Sequence, residues 1–333
     1  MLLNYIGARL LQLIPLLIAI TIIIFVVIQL PPGDYLTTYI ANLERAGADV
    51  SESYVQNLRD RYGLDQPIYL QYFIWMKNII LQGDLGRSFQ WEAPVTQVIG
   101  ERIGITMFIA ILTLLFTWLI ALPIGIYSAI RQYSLFDYLF TFFGFIGLAT
   151  PSFLIALLIV YVVFTTTGVS LTGLFSPEFQ GEPWSIGKFF DMLPRLWLPI
   201  VVVGTASVAA LIRVTRAMLL DELQKQYVIT ARAKGVSEHK LLFKYPVRVA
   251  INPLISTIGW TLPAIIGGEI IVSIVLNLPT TGPMLLRALQ SQDMYLAGGF
   301  ILIISVLTVI GTLISDILLA WLDPRIRFGG GSE

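Results

Sequence analysis

Cysteine is absent from the 333 residues, and His239 is the only histidine. Disulfide frameworks, thiolate metal sites and Cys nucleophiles are thereby excluded, and a lone imidazole supplies no zinc site. His239 reads as a solvated loop residue. Charge is scarce too: 13% of residues are charged and the formal net charge is zero, so no basic field points to nucleic acid. A P-loop needs Gly-x-x-x-x-Gly-Lys followed by Ser or Thr. The nearest string, Gly181 to Gly187-Lys188-Phe189, is one residue too long and ends in Phe. The sequence therefore offers no means of hydrolysing ATP, and no Ser-His-Asp constellation supplies another hydrolytic centre.

What is abundant is apolar surface: 56% of residues are hydrophobic, and the mean hydropathy is +0.80. A bilayer core of about 30 Å takes about 20 apolar residues per helical span. Six segments meet that measure or approach it: Ala8–Leu30, Ile105–Ile130, Leu139–Val169, Leu196–Ile212, Ile251–Leu278 and Leu296–Leu322. The expected fold is an all-α membrane protein with six transmembrane helices. The first segment reads as a retained span, because its run exceeds a signal h-region of about 7–15 residues and Leu30-Pro31-Pro32-Gly33-Asp34 offers no small-x-small cleavage site.

Orientation follows from Lys and Arg, which keep short loops in the cytoplasm. With both termini inside, the inner positions carry twelve basic against seven acidic residues. This divides the chain into a first span (1–30), an extracytoplasmic helical subdomain (31–103), a five-helix core (104–322) containing a cytoplasmic segment at 221–248, and a cytoplasmic tail (323–333). In the outer subdomain, Asp65 as N-cap, Pro67 just inside the start and Gly83 as stop predict one helix. That subdomain reads either as a cap packed on the helices or as a docking surface for an external partner.

The segment 221–248 is the most specific feature. Tyr227-Val-Ile-Thr230-Ala231-Arg232-Ala233-Lys234 suits a short helix with small residues for close approach, and Gly235 is placed to end it in the left-handed conformation. Ser237 is placed to cap the next helix. Such a helix can insert into a partner's groove and pass on rigid-body motion, or it can lie on lipid headgroups as an amphipathic loop.

Tyr227-Val-x-Thr-Ala-Arg-Ala-Lys-Gly235 resembles the cytoplasmic coupling motif of ABC importer permeases of the dipeptide, oligopeptide and nickel family. Pro32-Gly33-Asp34, Tyr62-Gly63-Leu64-Asp65-Gln66-Pro67, Gly83-Asp84-Leu85-Gly86-Arg87-Ser88, Pro151-Ser152-Phe153 and Asp323-Pro324-Arg325-Ile326-Arg327 resemble the same family in family order, so the resemblance covers nearly the whole chain. It implies that Tyr227, Thr230, Ala231, Arg232, Ala233, Lys234 and Gly235 form a coupling helix seated on a cytoplasmic ATPase, with Arg213 and Arg216 leading into it. The implied partners are a second homologous permease, two ABC ATPase subunits, an extracytoplasmic solute-binding protein and the lipid bilayer. The chain itself would carry no cofactor, with ATP and Mg on the ATPases, and would sit as a multi-pass protein in a bacterial or archaeal cell membrane. The implied solute is a peptide, with oligosaccharide and nickel as alternatives.

One departure concerns the end of the fifth segment, where the family's Glu-x-x-Phe-x-x-Pro-Gly-x-Gly reads Ser273-Ile-Val-Leu-Asn277-Leu-Pro279-Thr-Thr-Gly282. Glu269 stands one helical turn earlier on nearly the same face. A carboxylate within a span costs about 2.5–3.5 kcal/mol on insertion scales, so it faces a cavity or a partner, or else lies near the headgroups. Thr150, Ser152, Ser273 and Asn277 are the other candidates for a polar lining, each of them also suited to hydrogen bonding within the helices. An ion-coupled transporter or channel using Glu269 and Asp316 is the rival class.

Overall fold

The structure is a computed structural model that describes residues 2–29, 53, 56, 57, 60, 65–88, 90–256, 258, 261, 264 and 270–322. Among these residues every named element is helical, and the one β-type pairing is an isolated bridge between Arg87 and Pro94. The principal helices are α1 (Leu2–Gln29), α2 (Ile68–Gln82), α3 (Val95–Ile130), α4 (Leu135–Ala149), α5 (Ser152–Thr167), α6 (Ile186–Met192) and α7 (Trp197–Leu223). They are followed by α8 (Gln226–Ala233), α9 (Glu238–Lys244), α10 (Pro246–Ala250), α11 (Asn252–Ser256), α12 (Ile270–Val275), α13 (Thr281–Gln290) and α14 (Met294–Leu322).

Four helices, α1, α3, α7 and α14, are long and apolar enough to cross a membrane, or five spans result if α4 and α5 cross as one. The expected single span 139–169 is thus corrected to two helices bent by 101°. Pro151 is the cause. It has no N–H to continue the ladder, and its ring drives the preceding Thr150 out of the helical region, to φ −97° and ψ 124°. α3 begins ten residues before the apolar run, and at about 1.5 Å per residue it extends about 54 Å, well beyond a hydrocarbon core of about 30 Å. α7 likewise continues through Arg213 and Arg216 to Leu223 rather than stopping at Ile212. The expected span 251–278 is described only in part. Glu269, Pro32-Gly33-Asp34, Tyr62-Gly63-Leu64 and the 323–333 tail lie outside the described residues.

The outward faces of these helices are apolar. Leu119 on α3, Phe143 on α4 and Tyr161 on α5 stand 73%, 64% and 66% exposed, which suits hydrocarbon and not water.

The chain divides into two compact units. In Leu10–Gly104 with Thr281–Leu307, α2 is held to α1 by the rings of Phe25, Tyr72 and Trp75 and by a 2.9 Å hydrogen bond between the Thr21 and Tyr72 hydroxyls. α2 starts two residues later than expected: Pro67, not Asp65, takes the N-cap position, and its carbonyl accepts the amides of Leu70 and Gln71. It stops at Gly83, φ +64°, as the sequence predicts. The Gly83-to-Ser88 string is an anchor. Asp84 accepts the Gly86 amide at 2.9 Å, and the Ser88 hydroxyl donates at 2.5 Å to the buried carboxylate of Asp293, whose other oxygen caps α14 through the Leu296 amide at 3.2 Å.

The other unit comprises Met1–Arg9, Ile105–Thr280 and Thr308–Glu333 and is organised around α7. Glycines let its neighbours approach closely. A Cβ at Gly125 of α3 would lie 2.7 Å from Thr215 Cβ, one at Gly147 of α4 would lie 2.9 Å from Thr205 Cγ2, and one at Gly204 of α7 would lie 2.8 Å from Phe116. A core of Ile105, Ile109, Ala156, Leu198, Val202, Val203, Val272 and Leu276 joins α3, α5, α7 and α12.

The connection from α5 to α7 buries one charge and pairs two others. Lys188 is buried, donates to the Glu182 carbonyl and lies over the Phe175 ring at 4.7 Å, while Ile186 and Phe190 face outward. Asp191 accepts both the amide and the hydroxyl of Ser176, and Arg195 donates to that hydroxyl at 2.9 Å. Those two hydrogen bonds from Ser176, aided by the Arg195 charge and opposed by burial, hold the Asp191 carboxyl below its ordinary range.

Two predictions follow from this packing. Gly125→Ala lowers the unfolding midpoint of the detergent-solubilised protein, by the about 1–3 kcal/mol of an overpacked core, whereas Gly100→Ala, with open space on the same helix, does not. Because the folded pKa of Asp191 is depressed, its contribution is present above the ordinary carboxylate pKa and is lost as pH falls through the folded value. Hydrogen-exchange protection across 171–196 therefore drops in acid in the wild type, and Asp191→Asn shows low protection at every pH.

Candidate functional site

α7 hands the chain to α8 through Gln224 and Lys225, whose amides bond back to the carbonyls of Asp221 and Glu222. Lys225, extended at φ −70° and ψ 145°, starts α8, and its carbonyl accepts the amides of Val228 and Ile229 at 3.0 and 3.2 Å. The end of α8 is a Schellman motif: Val236 N–H donates to the Ala231 carbonyl at 3.3 Å and Gly235 N–H to the Arg232 carbonyl at 3.0 Å, with Gly235 at φ +76°. No atom lies within 4 Å of a Cβ placed on Gly235. Glycine is demanded there by backbone conformation and not by space.

α8 has two faces. Val228 and Ala231 turn inward onto the fully buried Leu241 of α9, with Val236 and Tyr245 at the edges. Tyr227, Ile229, Thr230, Arg232, Ala233, Lys234 and Gly235 are exposed. Ala231 thus serves the base of the helix, and Ala233 is the small residue on its surface. Arg232 closes the two helices with a fork onto Glu238, Nε to Oε1 at 2.6 Å and Nη2 to Oε2 at 3.2 Å. That bonding raises the guanidinium pKa and lowers the carboxyl pKa. Both groups are solvated, so the pair orients more than it stabilises. Ser237 occupies the N-cap of α9, but its hydroxyl accepts no capping bond, so this expectation is corrected. Tyr227 donates to Glu222, tying α8 to the end of α7.

The hairpin of α8 and α9 is mounted on α7. Val247 and Ala250 of α10 pack with Leu219 of α7 and Ala129 of α3. One turn along α7 from Leu219, Arg216 donates from Nη2 to Asp137 Oδ2 at 3.1 Å, while Arg213 is exposed. Arg213 and Arg216 are therefore not equivalent. Asp137 is a site residue that sequence reasoning missed. It stands in the first turn of α4 with its side chain 5% exposed, and it also accepts the Tyr133 amide at 3.0 Å. Its own amide bonds the Ser134 hydroxyl at 3.3 Å. The signal was present as Ser134-x-x-Asp137 ahead of an apolar run, the pattern of a reciprocal helix cap.

The candidate lining residues fall in two places. Thr150 and Ser152 flank Pro151 at the α4–α5 bend, both partly exposed. Ser273 is buried on α12, and Asn277 ends that helix at φ +50°: Leu278 N–H donates to the Ser273 carbonyl at 2.8 Å, and Asn277 N–H to the Ile274 carbonyl at 3.1 Å. Asn277 is the left-handed cap of a second Schellman motif, which accounts for its presence without a ligand. α12 packs against α5, so the two sets share a wall of the unit.

Leu241→Ala removes the side chain under α8, at about 2–5 kcal/mol for a leucine truncated in a closed core. Amide exchange across 226–234 should accelerate, with the exchange of 205–219 unaltered.

Residues 121–328 match the family described as binding-protein-dependent transport system inner membrane component, and residues 2–110 match the N-terminal region of such membrane components. An oligopeptide transport system permease protein of Bacillus subtilis is 36% identical over 325 residues, covering 97% of this chain and 99% of its own. A dipeptide transport system permease protein of Alkalihalophilus pseudofirmus is 30% identical over 342 residues, covering 98% and 100%. Together with the apolar helices, these matches make the chain a multi-pass protein of the cytoplasmic membrane. The chain belongs to the family of inner-membrane permease components of binding-protein-dependent transport systems.

Proposed function

We propose that this chain is the permease subunit of an ATP-binding-cassette importer for peptides, and that with a second homologous permease it forms the path for solute delivered by an extracytoplasmic binding protein. Two cytoplasmic ATPases, holding ATP and Mg, drive it, and the chain itself is not catalytic. Both termini and the segment 221–248 lie in the cytoplasm in this reading, which the excess of Lys and Arg on those stretches supports. The peptide substrate is supported by the names of the relatives, and the expected oligosaccharide and nickel alternatives predict different ligands for the binding protein.

The observation that carries the reading is α8. It is a short helix closed at both ends, packed on its own chain through Val228 and Ala231 and exposing Tyr227, Ile229, Thr230, Arg232, Ala233 and Lys234. A surface of that size, rigid and cationic, is suited to a groove on another protein. ATP-driven closure of the ATPases would press on it, and α7 would carry the displacement into the helices above. Thr150, Ser152, Ser273 and Glu269 are the residues assigned to the path; Asn277, expected there as well, is accounted for as a helix cap.

Gly235→Val tests it. A left-handed backbone costs an ordinary residue about 1–2 kcal/mol, and a β-branched one more. The variant should insert normally, but the reconstituted complex should hydrolyse ATP without accumulating peptide. Coupled uptake at the wild-type rate would refute the assignment of α8. Uptake that needs no ATPase but collapses with the proton gradient would favour the ion-coupled rival.

A further inference from the structure

α4 and α7 run antiparallel in close contact. Along the seam, Gly147 faces Thr205, Gly144 faces Ala209 and Asp137 faces Arg216. Only Gly144 against Ala209 pairs two residues with little or no side chain; at Gly147 the Thr205 methyl seats in the notch, 2.9 Å from where a Cβ would lie. A Cβ on Gly144 would sit 3.7 Å from Ala209 Cβ, an ordinary van der Waals distance. Glycine and alanine surfaces bring backbones together, but they present no ridge that resists sliding of one helix along the other. The third contact is directional. Asp137 is held before Arg216 reaches it, by the Tyr133 amide on its Oδ2 and by the Ser134 hydroxyl on its own amide, and its charge is favourable at the start of α4. Asp137 Oδ1 and Arg216 Nε are buried with no partner among the described residues, so the two side chains depend on each other for their charge compensation.

We infer that the Asp137–Arg216 pair is the register lock of the α4–α7 seam, the contact through which a displacement of α8 and α7 is passed to α4 and on to the bend at Thr150 and Pro151. The two residues are positioning residues: neither touches solute or nucleotide. The position of the pair supports the role. It lies one turn from Leu219, where α10 packs on α7, and thirteen residues from the bend. Without it, the Thr205 methyl in the Gly147 notch is left as the steric contact opposing displacement of α7 along α4 on that line of residues. The inference rests on the importer reading above.

The test uses the whole transporter, assembled from this chain and its partner subunits in proteoliposomes, with a radiolabelled tryptic peptide mixture as probe. The quantity read is peptide accumulated per ATP hydrolysed, normalised to assembled complex. Asp137→Asn and Arg216→Gln should each lower that ratio at least about fivefold, the lower end of a coupling free energy. A pair with a merely structural role would lower the amount of complex and leave the ratio unchanged. Because the chain has no cysteine, Gly144→Cys with Ala209→Cys places a single disulfide across the seam, at a Cβ separation within the usual range of about 3.5–4.5 Å. Oxidation of that pair in the Asp137→Asn background should restore the ratio, and reduction should lower it again. In the Asp137 background the crosslink should leave uptake intact, because the two helices move as one.

An unchanged ratio in Asp137→Asn would overturn the lock. So would a wild-type seam whose crosslink abolishes uptake, and that measurement remains decisive if Asp137→Asn fails to fold. If wild-type complex shows no ATP-dependent uptake at all, the importer reading fails, and the seam is not the reason.

Discussion

Close approach to α7 is the constraint on which one half of this molecule depends. Helices in hydrocarbon gain nothing from hiding apolar side chains, because lipid is as apolar as leucine, so their association relies on contact at short range. Gly125, Gly144, Gly147 and Gly204 provide it by removing the side chains that would hold α3 and α4 away. Where glycine meets alanine, at Gly144 and Ala209, the seam is smooth. Dispersion there binds without specifying register, and a group with direction adds it.

Carboxylates provide that direction at three places, each in a different way. Asp137 combines a backbone amide with a guanidinium, Asp191 fastens Ser176 within the α5–α7 connection, and Asp293 caps α14 while receiving Ser88 from 205 positions earlier in the chain. In each case the oxygens satisfy N–H or O–H donors that would be costly to bury alone. Acid side chains are few in this chain, and those placed inside it organise helix starts and loop ends.

The hairpin of α8 and α9 is built on a different principle. α8 carries only Val228 and Ala231 to its base, and its integrity comes from backbone caps, Gly235 at one end and Lys225 at the other. A helix stabilised in this way presents Ile229, Ala233 and Lys234 outward, while Arg232 and Tyr227 are tied to Glu238 and Glu222. The hairpin is mounted through α10 and Leu219 on the continuous α7, a rod and not a loop.

Much of this was legible in the residues themselves. Gly83 and Gly235 announce their left-handed caps, since no other residue ends a helix there at so little cost. Pro151 marks a break, although hydropathy alone reads 139–169 as one continuous span, because apolarity counts residues and is blind to direction. Ser134-x-x-Asp137 was visible as a cap pattern, yet its pairing with Arg216, 79 positions away, had no local signal. Ala231 and Ala233 look alike in the sequence and lie on opposite faces.

The amino-acid sequence by itself determined the solvent and the helical class, and it marked where α8 ends, because these follow from composition, run length and residue-specific backbone preference. Tertiary structure alone decided which face of α8 is free, that Asn277 closes a helix, and that Asp137 meets Arg216 across a glycine seam. The last depends on a distance between residues 79 positions apart, and the first two on how adjacent turns of chain fold back, which residue types alone leave open.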